Sequence, residues 1–303
     1  MRLRAVLIGT LSIGILLVLA GLAWSWRSAI EPISPGAKPV ADAKTIRLGA
    51  ELATIGNCSD CHTTKSGAPY AGGRALDASP YGTIYSSNIT PDPETGIGKW
   101  SEEAFRRAMH EGVDREGRPL YPAFPYDHFT HATDQDIHAL YAFLMSQQAV
   151  RSTVPPNDLK FPFNIRLLLA GWKILFLKQG SLEPDNSQSP EWNRGRYLVE
   201  GLGHCGSCHT PRNLFGAEKK NSAYAGAVVE GWRGPSLNSS TFTPNKWSVD
   251  QLAEYLSTGW HKMHGAAAGP MADVAKNLSQ ASRENVQAMA VYIASLSNDS
   301  KAP

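Results

Sequence analysis

All four cysteines of the chain lie in two copies of one pentapeptide, Cys58-Ser59-Asp60-Cys61-His62 and Cys205-Gly206-Ser207-Cys208-His209. Cys-x-x-Cys-His is the pattern of covalent haem attachment: two thiols add to the porphyrin as thioethers, and the adjacent imidazole takes the iron. Two rival chemistries use similar spacings. A thioredoxin-like dithiol sits in a βαβ context, and a zinc site gathers four ligands around one ion. Neither accounts for the surroundings described next. Cys58, Cys61, Cys205 and Cys208 are therefore read as attachment residues, with His62 and His209 as iron ligands, for two covalently bound haem c groups.

The surroundings repeat. Cys58 precedes Cys205 by 147 residues, and Trp100-Ser101 precedes Trp247-Ser248 by the same 147. Trp100 to Gly112 is answered by Trp247 to Gly259, and Ile137 to Ser146 by Val286 to Ser295, now 149 apart. A unit of roughly 100 residues, the size of a compact domain, has been duplicated in tandem. Each unit reads as helical. Leu48 to Gly56 and Gly195 to Gly203 are apolar-rich runs that stop at glycine just before a cysteine. Ser101 and Ser248 are N-caps followed by acids and by apolar residues at helical spacing, and Asp134 to Ser146 and Ser282 to Leu296 close the units. Between helices the chain is rich in Gly, Pro and Asn, without sustained period-two runs. The expected units are 43–150 and 191–303, joined by a linker over 151–190.

Ala5 to Trp26 is a run of 22 residues without a charge, preceded by Arg2 and Arg4. At about 1.5 Å per residue it reaches roughly 33 Å, enough for a hydrocarbon core of about 30 Å. It reads as an uncleaved anchor over 1–26 with its basic end in the cytoplasm, followed by a short linker over 27–42. A cleaved signal is the competing reading, although no Ala-x-Ala site follows the run. Either way the cysteine units are delivered outside the cytoplasm. A net charge of +2 argues against a nucleic-acid partner. Phe161 to Leu177 (FPFNIRLLLAGWKILFL) is apolar on nearly every face but too short to span a bilayer. It is either a helix buried between the units or a surface for membrane or partner.

The sixth ligand of each iron decides the chemistry, because His/Met ligation raises the reduction potential and blocks access to the metal. Met271, in Gly269-Pro270-Met271, is the candidate for the second iron, with Met263 as rival; Met109, Met145 and Met289 fall inside helices, where packing is the better account. Carrying the 147-residue register back from Met271 lands on Phe124, which cannot coordinate. His128 stands four residues later and is the expected sixth ligand of the first iron, with His131, Met109 and Met145 as weaker candidates. A five-coordinate first haem is the alternative.

Tyr81 to Trp100 (YGTIYSSNITPDPETGIGKW), Leu120 to Tyr126 (LYPAFPY), Glu191 to Lys219 (EWNRGRYLVEGLGHCGSCHTPRNLFGAEK) and Ala267 to Val274 (AAGPMADV) closely resemble the cytochrome c subunit of membrane-bound bacterial alcohol and aldehyde dehydrogenases. The family also serves periplasm-facing molybdenum hydroxylases and flavin-dependent sugar dehydrogenases. The resemblance implies a mainly α fold of two tandem cytochrome c domains behind a transmembrane helix, at the bacterial inner membrane with the haem domains facing the periplasm. It implies an electron-transfer subunit rather than an enzyme, one that takes electrons from a catalytic dehydrogenase subunit and passes them to quinone or a terminal oxidase of the respiratory chain. Many members carry methionine where this chain has Phe124, and members commonly bear a third haem domain. Two further classes stay open: a stand-alone dihaem shuttle, and a dihaem peroxidase that would need an open iron beside acid/base groups.

Overall fold

Asp42 accepts a hydrogen bond from the Thr45 amide at 2.7 Å and so starts the first helix; such caps satisfy first-turn amides that a helix cannot bond internally. The computed structural model describes residues 27–37, 39–238 and 247–296. The first repeat contains α1 (Ala43–Ile55), α2 (Cys58–His62), α3 (Glu102–Glu111), α4 (Tyr126–Phe129) and α5 (Asp134–Ser146). The linker contributes α6 (Leu168–Phe176), and the second repeat α7 (Pro190–Glu200), α8 (Gly206–His209), α9 (Val249–Thr258), α10 (Pro270–Leu278) and α11 (Arg283–Leu296). Ser101 and Ser248 cap α3 and α9 as the sequence predicts, and α9 has a full capping box through Gln251. The strands are short. β1 (Ala75–Asp77), β2 (Gly82–Tyr85) and β3 (Asp158–Leu159) form one antiparallel sheet, whose last strand comes from the linker.

In each repeat the first helix lies directly on the closing helix. A Cβ on Gly49 would stand 1.9 Å from the Ala139 carbonyl oxygen, and one on Gly195 would stand 1.9 Å from that of Ala288. Only glycine lets the backbones meet so closely. These contacts set the first helices one residue off the register of the cysteines. Gly49 and Gly195 are 146 apart, one fewer than the cysteines, because the second repeat has one more residue between glycine and motif.

The repeats are interlocked. The first core, with Leu52, Phe105, Met109, Ile137, Leu140 and Leu144, takes in Leu202 from the second repeat, while the second core takes in Ile55 from the first. Glu51 of α1 accepts hydrogen bonds from the Ser282 amide (2.8 Å) and Asn285 Nδ2 (2.7 Å) at the start of α11. At the matching place on α7, the Tyr197 hydroxyl accepts from the Thr133 amide (3.0 Å) and donates to Asp136 (2.7 Å) at the start of α5. Each first helix thus finishes the N-terminus of the other repeat's last helix, a pseudo-twofold exchange.

The anchor expected over Ala5 to Trp26 lies outside the described residues; among those described, no helix is long and apolar enough to cross a membrane. The Phe161 to Leu177 segment follows neither alternative in full. α6 buries Leu169 and Trp172, the latter edge-on to Tyr126 at 5.9 Å, while Leu167, Leu168, Ile174 and Leu175 stay exposed.

The Gly195→Val substitution is expected to cost about 3 kcal/mol or more by overpacking against α11. Gly171 in α6, where an added Cβ meets nothing within 4 Å, is the control: Gly171→Ala should stabilise by about 0.5–1 kcal/mol through helix propensity. Denaturant unfolding of both variants checks this pair of outcomes.

Candidate functional site

Each Cys-x-x-Cys-His forms a single helical turn immediately after the long first helix of its repeat. In α2 the His62 ring holds the Ser87 carbonyl through Nδ1 at 2.6 Å; at the end of α8 the His209 ring holds the Pro235 carbonyl through Nδ1 at 2.7 Å. A carbonyl only accepts, so Nδ1 carries the proton in both rings, leaving Nε2 as the lone-pair nitrogen. This outer-shell bond is the device that orients a metal-ligating imidazole. Burial pushes both histidines below their ordinary pKa and keeps them neutral, the form that coordinates.

The thiols suit thioether attachment better than the rival chemistries. All four cysteines are free. Burial pushes Cys58 up to about 12, Cys61 up to about 11 and Cys205 up to about 12. A thioredoxin-like nucleophile works with the opposite shift. Among the described residues the one cluster of three or more groups able to hold a metal ion is Asp127, His128 and Glu218, with no cysteine in it. The donor set of each motif therefore fits a haem: two neutral thiols for the vinyl carbons, and an oriented neutral imidazole for iron.

Met271 opens α10 behind Pro270 and packs half-buried against the second core together with Cys205. Its rival Met263 is exposed, with its sulfur 4.0 Å from Gln251 Nε2. Met109, Met145 and Met289 are buried core residues. In the first repeat, Phe124 packs on the core that includes Cys58, as Met271 does beside Cys205.

His128 requires a correction. It is buried beside the second motif, not above the first: a Cβ on Gly206 would lie 3.0 Å from its ring. Nδ1 meets the Glu200 carbonyl at 2.7 Å and Nε2 meets the Glu218 carboxylate at 2.8 Å. Both partners only accept, so both nitrogens carry protons and neither has a lone pair for iron. Burial pushes the His128 pKa down, but the hydrogen bond and charge of Glu218, with Asp127 and the Glu200 carbonyl, outweigh it and carry the value up to about 9. His128 is a cation that ties the repeats together. His131 is held differently, through Nδ1 alone on the Gly180 carbonyl at 2.6 Å, and it lies toward the second repeat, its Cβ 3.7 Å from where a Cβ on Gly201 would stand.

Sequence reasoning missed Arg74. Its guanidinium pairs with Asp60 inside the first motif at 2.6 Å and reaches Glu230 of the second repeat at 3.5 Å. Asn277 Nδ2 also donates to Asn57 Oδ1 at 2.8 Å, just ahead of Cys58. His204, ahead of Cys205, stacks on Phe129 at 5.5 Å, and Phe129 in turn contacts Phe124 at 5.2 Å. The two motifs are thus neighbours, joined by charge pairs and by an aromatic column.

Small helical bundles carrying attachment turns with pre-oriented histidines define a c-type cytochrome. The cytochrome c family profile matches residues 46–148. The chain is 40% identical over 257 residues to a dihaem cytochrome c-type protein of Cereibacter sphaeroides, covering 81% of this chain and 83% of that one. It is 50% identical to a subunit of the nicotinate dehydrogenase of Pseudomonas putida, over 95% of this chain and 24% of that protein. To the cytochrome c subunit of the Gluconobacter oxydans quinone alcohol dehydrogenase it is 41% identical, over 84% of this chain and 55% of that subunit. The chain belongs to the cytochrome c family that includes the cytochrome subunits of alcohol, fructose and gluconate dehydrogenases. It spans about half the length of those dehydrogenase subunits.

Because the folded pKa of His128 lies above its ordinary 6.5, its contribution is complete below about pH 6.5 and is lost as pH rises through about 9. The melting temperature of the wild type should fall across that window. Glu218→Gln should melt lower at pH 7 and show a flatter profile; a wild-type profile as flat as the variant's would contradict the pairing.

Proposed function

We propose that this chain is a membrane-held dihaem electron-transfer subunit: it accepts electrons from a periplasm-facing dehydrogenase and passes them to quinone or a terminal oxidase of the respiratory chain. The observation that carries the reading is the pair of oriented histidines, His62 on Ser87 and His209 on Pro235, in two adjacent attachment turns. Bound haem would supply one-electron chemistry at each turn. The protein's part is to fix the imidazoles and to hold the turns together through Arg74, Asn57 and Asn277, which favours exchange between the sites. In the second repeat Met271 would close the iron and raise its potential, which suits transfer rather than catalysis.

The dehydrogenase partner is inferred from the kinship with cytochrome subunits, and the 50% identity to part of a nicotinate dehydrogenase favours a catalytic partner of that kind over an alcohol dehydrogenase. Attachment to the inner membrane rests on the uncharged run Ala5 to Trp26. Arg27, which follows it, pairs with Glu111 at 3.6 Å, and the next carbonyl, that of Gly112, accepts from Lys173 of α6. Arg27 thus stands on the side of α6, where the exposed Leu167, Leu168, Ile174 and Leu175 form an apolar surface suited to the bilayer interface.

Purification of the full chain from native membranes should bring down a catalytic dehydrogenase subunit whose substrate reduces the haem bands. A cytochrome recovered alone, and left oxidised by every dehydrogenase substrate supplied to the membranes, would contradict the assignment. Deleting residues 5–26 while supplying a cleavable export signal should move the haem protein into the soluble periplasmic fraction.

A further inference from the structure

The repeats differ at the one place that decides access to iron. Their loops after α3 and α9 coincide contact by contact. Gly112 and Gly259 both take positive φ (59° and 70°). Val113 bridges Pro119 as Trp260 bridges Ala266. The Leu120 amide donates to the Gly112 carbonyl at 2.7 Å, and the Ala267 amide donates to that of Gly259 at 2.7 Å. All four correspondences keep the 147-residue register, and the last lies four residues before Phe124 and Met271. In chain register Phe124 therefore takes the place that Met271 holds in the other repeat, and each packs on the core against which its repeat's first cysteine lies.

The other histidines and methionines of the first repeat are accounted for, and burial raises the pKa of the unpartnered Tyr126 hydroxyl, which disfavours the phenolate that would bind iron. His128 is doubly protonated between Glu200 and Glu218, and His131, held through Nδ1 by Gly180, lies against Gly201 of the second repeat. His138 bonds Glu102 at 2.9 Å. Met109 and Met145 occupy helix positions filled in the second repeat by Leu256 and Ala294, so their role is packing. His110 has one ring nitrogen without a partner, but its ring sits beside Arg106, Asp134 and the Ala132 carbonyl, at the outer end of α3.

We infer that the first haem is held without a side-chain sixth ligand, and that its face beneath Phe124 accepts a small exogenous ligand such as carbon monoxide or cyanide. This rests on the haem reading of both motifs. The second haem, closed by Met271, is inert toward the same ligands. The pair is thus unequal, one site built for transfer alone and one open beside an apolar ring.

The test uses the full chain matured with haem, its covalent haem content measured first. Two haems per chain are expected, with a high-spin ferric electron paramagnetic resonance signal from one of them and carbon monoxide binding to half of the reduced haem. Phe124→Met should abolish both the high-spin signal and the carbon monoxide reaction, while Met271→Ala should double the carbon monoxide bound. His110→Gln should leave the wild-type spectrum unchanged. Two haems that are both low-spin and unreactive in the wild type would overturn the inference while leaving the haem reading intact; fewer than two haems would overturn both.

Discussion

Backbone packs against backbone where Gly49 meets Ala139 and Gly195 meets Ala288, leaving no room for a Cβ. A side chain at either glycine would lift the first helix of its repeat off the closing helix. Because the attachment turn follows that first helix after a short loop, the crossing sets where the cysteines and histidine emerge. It also sets the interface between repeats. With the helices so close, Glu51 and Tyr197 arrive at the bare amides of α11 and α5. Those amides need partners, since a helix cannot satisfy its own first turn. One constraint thus fixes the bundle, the haem turns and the pairing of the two halves.

Upon this symmetric frame the chain places unequal chemistry. Both turns orient their histidine through Nδ1 on a backbone carbonyl, and both surround their thiols with apolar atoms. The loops that reach the far face carry Phe124 in one repeat and Met271 in the other. The cation that the sequence offers nearby, His128, has been drawn into the interface, where Glu218 and Glu200 hold it. A duplicated module has kept its scaffold contacts while the residues that set access to iron have diverged.

Much of this was legible in the chain itself. The pentapeptides and their flanking register gave the duplication, and Ser101 and Ser248 marked helix starts that the structure reproduces, because capping is decided within four residues of sequence. What was not legible depends on distant partners. His128 meets Glu200 and Glu218 from 72 and 90 residues away, so its spacing from Phe124 suggested a ligand that tertiary packing does not permit. Arg74 carried no local signal, since its value lies in joining Asp60 to Glu230. For Phe161 to Leu177, an apolar run names no face; packing of Trp172 on Tyr126 decides which side is covered.

The central claim is that two iron macrocycles are bonded to the polypeptide through Cys58, Cys61, Cys205 and Cys208. Intact-mass measurement of the denatured protein, matured in a host with haem-attachment machinery, tests it most directly. The account predicts a chain heavier by two haem masses, falling to one when Cys205 and Cys208 are both replaced by serine. A denatured chain at its bare polypeptide mass would contradict it.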